Sequence, residues 1–434
     1  MDKRIRACAS LRGEITPPGD KSISHRAIIL NSIAEGRARI DNLCPGADCQ
    51  CTIACLRALG VGIKGPEPLG SPHAIEVLGV GRGGLREAQN TLDAGNSATT
   101  MRLLAGLLAA QPFLSIITGD DSLRSRPMER LIQPLRLMGA EIWGRQGDSL
   151  APLAIRGGRL RGITYTLPVP SAQLKSALLL AGLWAQGGTV LEEPAPSRDH
   201  SERLLQAMGA KMEMDDGRIA IAPVSAPLMS LDLRIPGDIS AAAYWLVAGA
   251  IHPDAQIKVT GCGINPTRTG IIDVLRAMGA NLKVENQRVE GGEPVADLLL
   301  KSGDLIATKI DAQIIPRLID EIPAIAVAAS MARGTTVIED AAELRVKETD
   351  RIRTTVDELS KLGIRVEELP EGMVIHGEGR LRGAEVDSHH DHRLAMALAV
   401  AALVAEGETV VRNAEAVDMS YPAFWQELEK LGQQ

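Results

Sequence analysis

A pattern closing on Leu-x-x-(Leu/Met)-Gly recurs six times along the 434 residues, and it constrains the fold more than any other feature. The copies LRALG, LRLMG, LLQAMG, LRAMG, LSKLG and LEKLG end on Gly60, Gly139, Gly209, Gly279, Gly363 and Gly432. Glycine suits the residue just past a helix, where φ turns positive. Strand-like residues follow the first five copies, as in AKMEM and ANLKV. A more apolar run also recurs six times: SHRAIILNSIAEG, SATTMRLLAGLLAA, SAQLKSALLLAGLWAQGG, ISAAAYWLVAGAI, IPAIAVAASMARG and HRLAMALAVAALVAEG. These runs are hydrophobic almost all round, which predicts buried helices, and a short strand-like segment follows each. The repeat is therefore buried helix, strand, amphipathic helix, strands, over roughly 70 to 85 residues, longer than most solenoid units. It reads as a βαβ-type module used six times. Three modules make a domain of ordinary size, so the fold class is α/β with two similar three-repeat domains. The break is expected near RIPGDIS, Arg234 to Ser240, and the strand before the first module is free to pair with either domain.

Composition narrows the function. A net charge of -7 argues against a general nucleic-acid binder, but an anionic substrate stays open if cations are gathered locally. Aromatic residues are only 2%, so stacking platforms are scarce. Of six cysteines, Cys44, Cys49, Cys51 and Cys55 lie close together. Their spacing matches no common zinc or iron–sulfur pattern, and small cysteines suit the buried face of CTIACLRALG as a helix. The start, MDKRIRACAS, lacks the apolar core of a signal peptide, and no apolar run reaches the length of a membrane span. The expected location is the cytoplasm.

Unusual polar residues collect where the buried helices begin. They are Lys21, Ser22 and Arg26; Asn96, Ser97, Thr99 and Arg102; Ser171, Gln173 and Lys175; Asp238 and Ser240; Asp320 and Glu321; Asp391, His392 and Arg393. Helix N-termini bind anions through unpaired N–H groups and the positive dipole end. Cations there cost about 0.3–1 kcal/mol each and become favourable once an anion fills the site. GDKSISHR thus reads as a substrate-binding compromise; the plainer reading is that Ser22 or Ser24 caps the helix while Lys21 and Arg26 are solvated. LRSRPMER adds Arg124 and Arg126. RVKETDRIR adds Lys347 and Arg351, which share a face if the segment is helical; its plainer reading is an exposed, salt-bridged helix start. SHHDHR lacks a clear tetrahedral ligand set, so no metal site is expected there.

As an ordered set, GDKSISHR, GNSATTMR, Arg126-Pro127, SAQLK, RVKETDR and DHR resemble the 5-enolpyruvylshikimate-3-phosphate synthase family over essentially the whole chain. The resemblance implies the enolpyruvyl transferase fold, with two globular domains of three βαβαββ-type repeats each. The expected domains are 20–236 and 1–19 plus 237–434, with a hinge near 19–20 and 236–238 that closes on substrate. It implies transfer of an enolpyruvyl group from phosphoenolpyruvate to the 5-hydroxyl of shikimate 3-phosphate, with loss of phosphate through a tetrahedral intermediate. Neither metal nor organic cofactor is implied, and the expected state is a monomer with small-molecule substrates and no nucleic-acid or membrane partner.

The resemblance also implies roles for single residues. Lys21, Asp320 and Glu348 are the expected catalytic groups. Lys21, Ser22, Arg26, Ser171, Ala172, Gln173, Ser197, Arg198, Asp320 and Lys347 are expected to hold shikimate 3-phosphate. Lys21, Asn96, Ala98, Arg126, Gln173, Arg351, His392 and Arg393 are expected around phosphoenolpyruvate. Ala98 stands where many members carry glycine, and RDHSE, SAQLK and NPTR resemble the glyphosate-tolerant branch. Its methyl group is expected to exclude glyphosate, the longer molecule. Met419 stands where sensitive members carry lysine, which puts one cation on the phosphoenolpyruvate side in doubt. The rival enzyme is UDP-N-acetylglucosamine enolpyruvyl transferase, whose loop cysteine is missing from GDDSLRSRPMER. A rival of another class is a non-catalytic repeat scaffold.

Overall fold

The computed structural model describes residues 1–66, 74–215 and 217–432. The chain forms two compact units. One comprises Gly19–Ile235 with Glu290–Glu293; the other comprises Met1–Pro18, Pro236–Val289 and Pro294–Gln434.

Six almost wholly apolar segments become helices: Lys21–Ile33, Ala98–Leu108 and Ala172–Gly182 in the first unit, and Ile239–Ile251, Ile322–Met331 and His392–Ala402 in the second. Each trio lies in its unit's own hydrophobic core. Every residue of Ile239–Ile251 is buried, and each large apolar side chain so buried contributes about 1.5–3 kcal/mol. Close approach is built in at Gly106, where a Cβ would come within 2.2 Å of the Ala177 carbonyl oxygen on the next buried helix.

The strand following each buried helix pairs on one side with a parallel strand. These pairs are Leu233–Arg234 with Glu35–Asp41, Leu92–Asp93 with Leu114–Thr118, and Thr164–Thr166 with Thr189–Glu192. In the second unit they are Leu11–Ile15 with Ala255–Gly263, Lys309–Ile310 with Gly334–Ile338, and Glu385–Asp387 with Glu408–Arg412. On the other side the partner is antiparallel. For the sixth repeat that partner is Lys3–Arg6 from the start of the chain. Each unit thus closes its ring of repeats with strands from distant sequence.

The first five repeat glycines take positive φ, from 87° at Gly279 and Gly363 to 101° at Gly139. The sixth departs from expectation. Gly432 lies inside the helix Phe424–Gly432, with φ outside the left-handed region, and the strand that would follow is replaced by the chain start. Two local expectations also change. The helix at Lys21 is capped by Asp20, whose Oδ1 accepts the Ile23 N–H at 2.9 Å, and not by Ser22 or Ser24; Ser24 Oγ instead accepts the Cys44 N–H at 3.0 Å. Lys347 ends a 3-10 turn, Ala342–Val346, in extended conformation. The following helix begins at Arg351 because Asp350 caps it through the Arg353 N–H at 3.2 Å, so Lys347 and Arg351 do not share a helical face.

Candidate active site

In the first unit the polar helix starts form one connected network. Arg26 is buried, and its guanidinium donates to Ser201 Oγ at 2.7 Å, Ser176 Oγ at 2.8 Å, and the carbonyls of Ser22 and Ala172 at 2.9 and 3.4 Å. It ties the first buried helix to the third. Lys21 Nζ lies 3.1 Å from Asp48 Oδ2, and Arg198 donates to Ser22 Oγ at 3.3 Å. His25 sits beneath them, 2.7 Å from Thr52 Oγ1, which is 2.7 Å from Thr100 Oγ1. Burial, then the charges of Lys21 and Arg26, push the His25 pKa well below the usual imidazole value.

At the second helix start Ser97 caps through the Thr100 N–H at 3.1 Å, and Ala98 is the first helical residue. Asn96 donates to Asp120 at 2.7 Å and accepts from Arg126 at 2.7 Å. At the third, Ser171 accepts the Leu174 N–H at 3.4 Å. Gln173 accepts from Arg102 at 2.6 Å and donates to Thr99 at 2.9 Å. Lys175, one turn in, is only 1% exposed and meets Glu193 at 2.8 Å and Glu202 at 2.7 Å. Ser197 donates its hydroxyl to Glu193.

The second unit holds Asp320, Lys347, Glu348, Arg351, His392 and Arg393. Asp320 stands among three cations, with Arg351 at 3.4 Å, Lys347 at 3.7 Å and Arg393 at 3.8 Å. Arg351 is 1% exposed and also binds Glu348 at 2.5 Å and Asp391 at 2.7 Å. Within RVKETDRIR, Arg351 therefore anchors a buried ion network, while Arg353 at the same helix start stays exposed. Burial opposes the Arg351 charge, but Asp391, Glu348 and Asp320 outweigh it and hold its pKa above the ordinary guanidinium value. The same balance, with Asp320 the leading carboxylate, raises Arg393. Burial also opposes ionisation of Asp391, but Arg351 prevails and keeps its carboxyl below the usual range. Asp391 further caps its helix through the Arg393 N–H at 2.9 Å. His392 is buried at the same helix start. Met419 ends a 3-10 turn, Ala414–Met419, in this unit.

Sequence reasoning noticed Arg102, Lys175 and Asp391 as helix-start residues but assigned them no role. Asp48 and Glu193 carry no mark in the sequence, and Glu202 and Arg268 enter only as members of RDHSE and NPTR, with no role of their own. Arg268 is buried, donates to Ser240 Oγ at 2.5 Å and lies 3.7 Å from Glu321. The missing signal was charge: each is an ionisable residue that the fold buries beside an opposite one. The cysteines are free, with burial pushing Cys51 up to about 11 and Cys55 up to about 12. Among the described residues, Asp199, His200 and Glu293 form a three-ligand cluster. There His200 Nδ1 pairs with Glu293 at 2.8 Å and Asp199 with Arg203 at 2.9 Å. No described helix is long and apolar enough to cross a membrane.

Chemically, the first unit offers cations at helix starts, an arrangement suited to anions carrying phosphate and carboxylate. The second offers carboxylates for proton transfer among fixed cations.

Residues 5–428 match the family model described as EPSP synthase (3-phosphoshikimate 1-carboxyvinyltransferase). A 3-phosphoshikimate 1-carboxyvinyltransferase of Herpetosiphon aurantiacus is 54% identical over 98% of this chain and 98% of its own. An EPSP synthase structure from Acinetobacter baumannii is 42% identical with a TM-score of 0.89, covering 99% of this chain and 98% of that one. The enolpyruvyl transferase NikO from Streptomyces tendae, 20% identical with a TM-score of 0.77 over 99% of this chain and 97% of its own, shares the fold.

Proposed function

The chain belongs to the EPSP synthase family, and from that membership we infer that it transfers the enolpyruvyl group of phosphoenolpyruvate to the 5-hydroxyl of shikimate 3-phosphate. Phosphate is released, and the product serves aromatic amino acid biosynthesis. The structural observation that best supports this chemistry is Asp320 set among Arg351, Lys347 and Arg393 at 3.4–3.8 Å, with Glu348 on the same arginine. An addition–elimination reaction between two anions needs such a mixture of proton acceptors and fixed positive charge.

The 5-hydroxyl loses its proton to Asp320 as its oxygen bonds to C2 of phosphoenolpyruvate. C3 gains a proton from Lys21 or Glu348, giving a tetrahedral ketal. C3 then returns a proton, the C2–C3 double bond re-forms, and phosphate leaves with the C–O electron pair. Shikimate 3-phosphate is held by Lys21, Ser22, Arg26, Ser171, Ala172, Gln173 and Lys347, with Ser197 and Arg198 at its phosphate. Asn96, Arg126, Arg351, His392 and Arg393 surround phosphoenolpyruvate. Arg26 acts chiefly by fixing the carbonyls and hydroxyls it bonds, since four of its contacts run inside the protein. The Ala98 methyl at the first turn of its helix narrows the phosphoenolpyruvate side and confers glyphosate tolerance. As finer parts of the same reading, the protein works as a cytoplasmic monomer without metal or organic cofactor.

Phosphate release from phosphoenolpyruvate, dependent on shikimate 3-phosphate, tests the activity. Release with UDP-N-acetylglucosamine instead would favour the rival transferase, and no release with either acceptor would favour a scaffold. The relatives named above favour the shikimate substrate, while the 20% identical structure bears on fold alone.

A further inference from the structure

Lys175 stands at the first turn of the helix Ala172–Gly182, two residues after Gln173, yet it is 1% exposed. It meets two carboxylates, Glu193 at 2.8 Å and Glu202 at 2.7 Å, which are 4% and 1% exposed. It also donates to the backbone carbonyl of Ser197 at 3.4 Å. Glu193 uses its other oxygen to accept the Ser197 hydroxyl. Ser197 is thus gripped at its carbonyl by Lys175 and at its side chain by the carboxylate that Lys175 neutralises. The next residue, Arg198, reaches Ser22 Oγ at 3.3 Å, and Ser201 accepts from Arg26 at 2.7 Å.

Buried ion pairs are poor stabilisers, because desolvating the charges offsets most of their attraction, and apolar replacements are often neutral or better. Two carboxylates beneath a segment that must accept a phosphate also oppose that phosphate, unless a cation cancels them. Burial raises the Glu202 pKa, and Lys175 acts against that rise. An arrangement this costly fits a role in shaping what lies above it.

We propose that Lys175 and Glu193 are positioning residues for the phosphate group of shikimate 3-phosphate. They act through Ser197, setting its carbonyl and hydroxyl so that Ser197 and Arg198 present a fixed phosphate-binding corner. Ser197 has one proton to donate. Glu193 holds that proton until the phosphate takes it, and Lys175 keeps Glu193 from repelling the incoming dianion. The proposal rests on reading Ser197 and Arg198 as phosphate contacts.

The test compares two ligands differing only in the phosphate, shikimate 3-phosphate and shikimate, by titration calorimetry on full-length protein. The variants are Glu193→Gln, which keeps shape, and Lys175→Met/Glu193→Gln, which removes one charge of each sign and leaves Glu202 buried without its cation. Wild-type turnover with shikimate 3-phosphate and phosphoenolpyruvate is measured first; its absence would defeat the family-level reading and not this one alone. With turnover present, shikimate 3-phosphate should bind at least about tenfold more weakly to the variants, about 1.4 kcal/mol, while shikimate changes by less than about twofold. Should the double variant fail to fold, Glu193→Gln alone carries the comparison. Equal losses for both ligands, or no loss in a folded variant, would overturn the proposal.

Discussion

Asp391→Asn isolates the charge that holds Arg351. Asp391 is fully buried, accepts from Arg351 at 2.7 and 3.3 Å, accepts from Thr349 at 3.3 Å, and caps its helix through the Arg393 N–H at 2.9 Å. Removing one partner of a buried ion pair costs about 3–5 kcal/mol. Arg351 would retain Glu348 at 2.5 Å and Asp320 at 3.4 Å, so the lower end, about 3 kcal/mol, applies. Asparagine keeps an oxygen for the cap, whereas Asp391→Ala loses it, adding about 1 kcal/mol. Urea unfolding followed by tryptophan fluorescence suits this measurement, because Trp245 and Trp425 are buried in the same unit. The sign with pH follows from the lowered Asp391 pKa. Its stabilisation is complete above the unfolded value near 3.9 and is lost as pH falls through the lower folded value. The deficit of the Asn variant should therefore be constant from about pH 5 to 8 and shrink in strong acid. Losses below about 1 kcal/mol for both variants, the range of exposed pairs, would refute the reasoning.

Three further outcomes are expected. Lys21→Ala and Asp320→Ala should each abolish turnover with circular dichroism unchanged; near-normal steady-state rates in either folded variant would remove that residue from the mechanism. Wild-type enzyme should resist glyphosate and Ala98→Gly should be sensitive, so a low-micromolar inhibition curve for wild type would contradict the assignment of the Ala98 methyl. His25, held neutral by burial with its pKa depressed, contributes stability that is intact above the unfolded value of about 6.5 and drains away below it until the folded pKa is reached. Wild type should thus lose stability below about pH 6.5 more steeply than His25→Gln, and identical pH profiles would show that His25 protonates as readily folded as unfolded.

What the sequence discloses and what it hides follows a physical division. The repeat was legible because burial leaves a periodic mark: Ile239–Ile251 is apolar all round and buried all round. Gly60 to Gly363 were legible because only glycine takes positive φ without strain, while Gly432 shares the letter without the conformation. Caps were harder, since Asp20, Ser22 and Ser24 all offer oxygens and only the backbone path decides among them. Lys347 was misplaced because ETD looks helical until Asp350 is recognised as the cap. Polar helix starts announced themselves by being unusual. Their charged supports, Asp48, Glu193 and Glu202, looked like ordinary surface residues, because the pairing that permits their burial joins distant segments.

Among the described residues, the strands Lys3–Arg6 and Leu11–Ile15 pair with Glu408–Arg412 and Ala255–Gly263. During synthesis at about 5–20 residues per second, the first of them leaves the ribosome roughly 20–80 s before its partner exists. Meanwhile Gly19–Ile235 can complete its own core. An unpaired apolar strand exposed that long would invite association with other nascent chains. Lys3, Arg4, Arg6, Arg12 and Glu14 place charges along these two strands, so the same residues that face solvent in the finished protein keep the two strands dispersed while they wait.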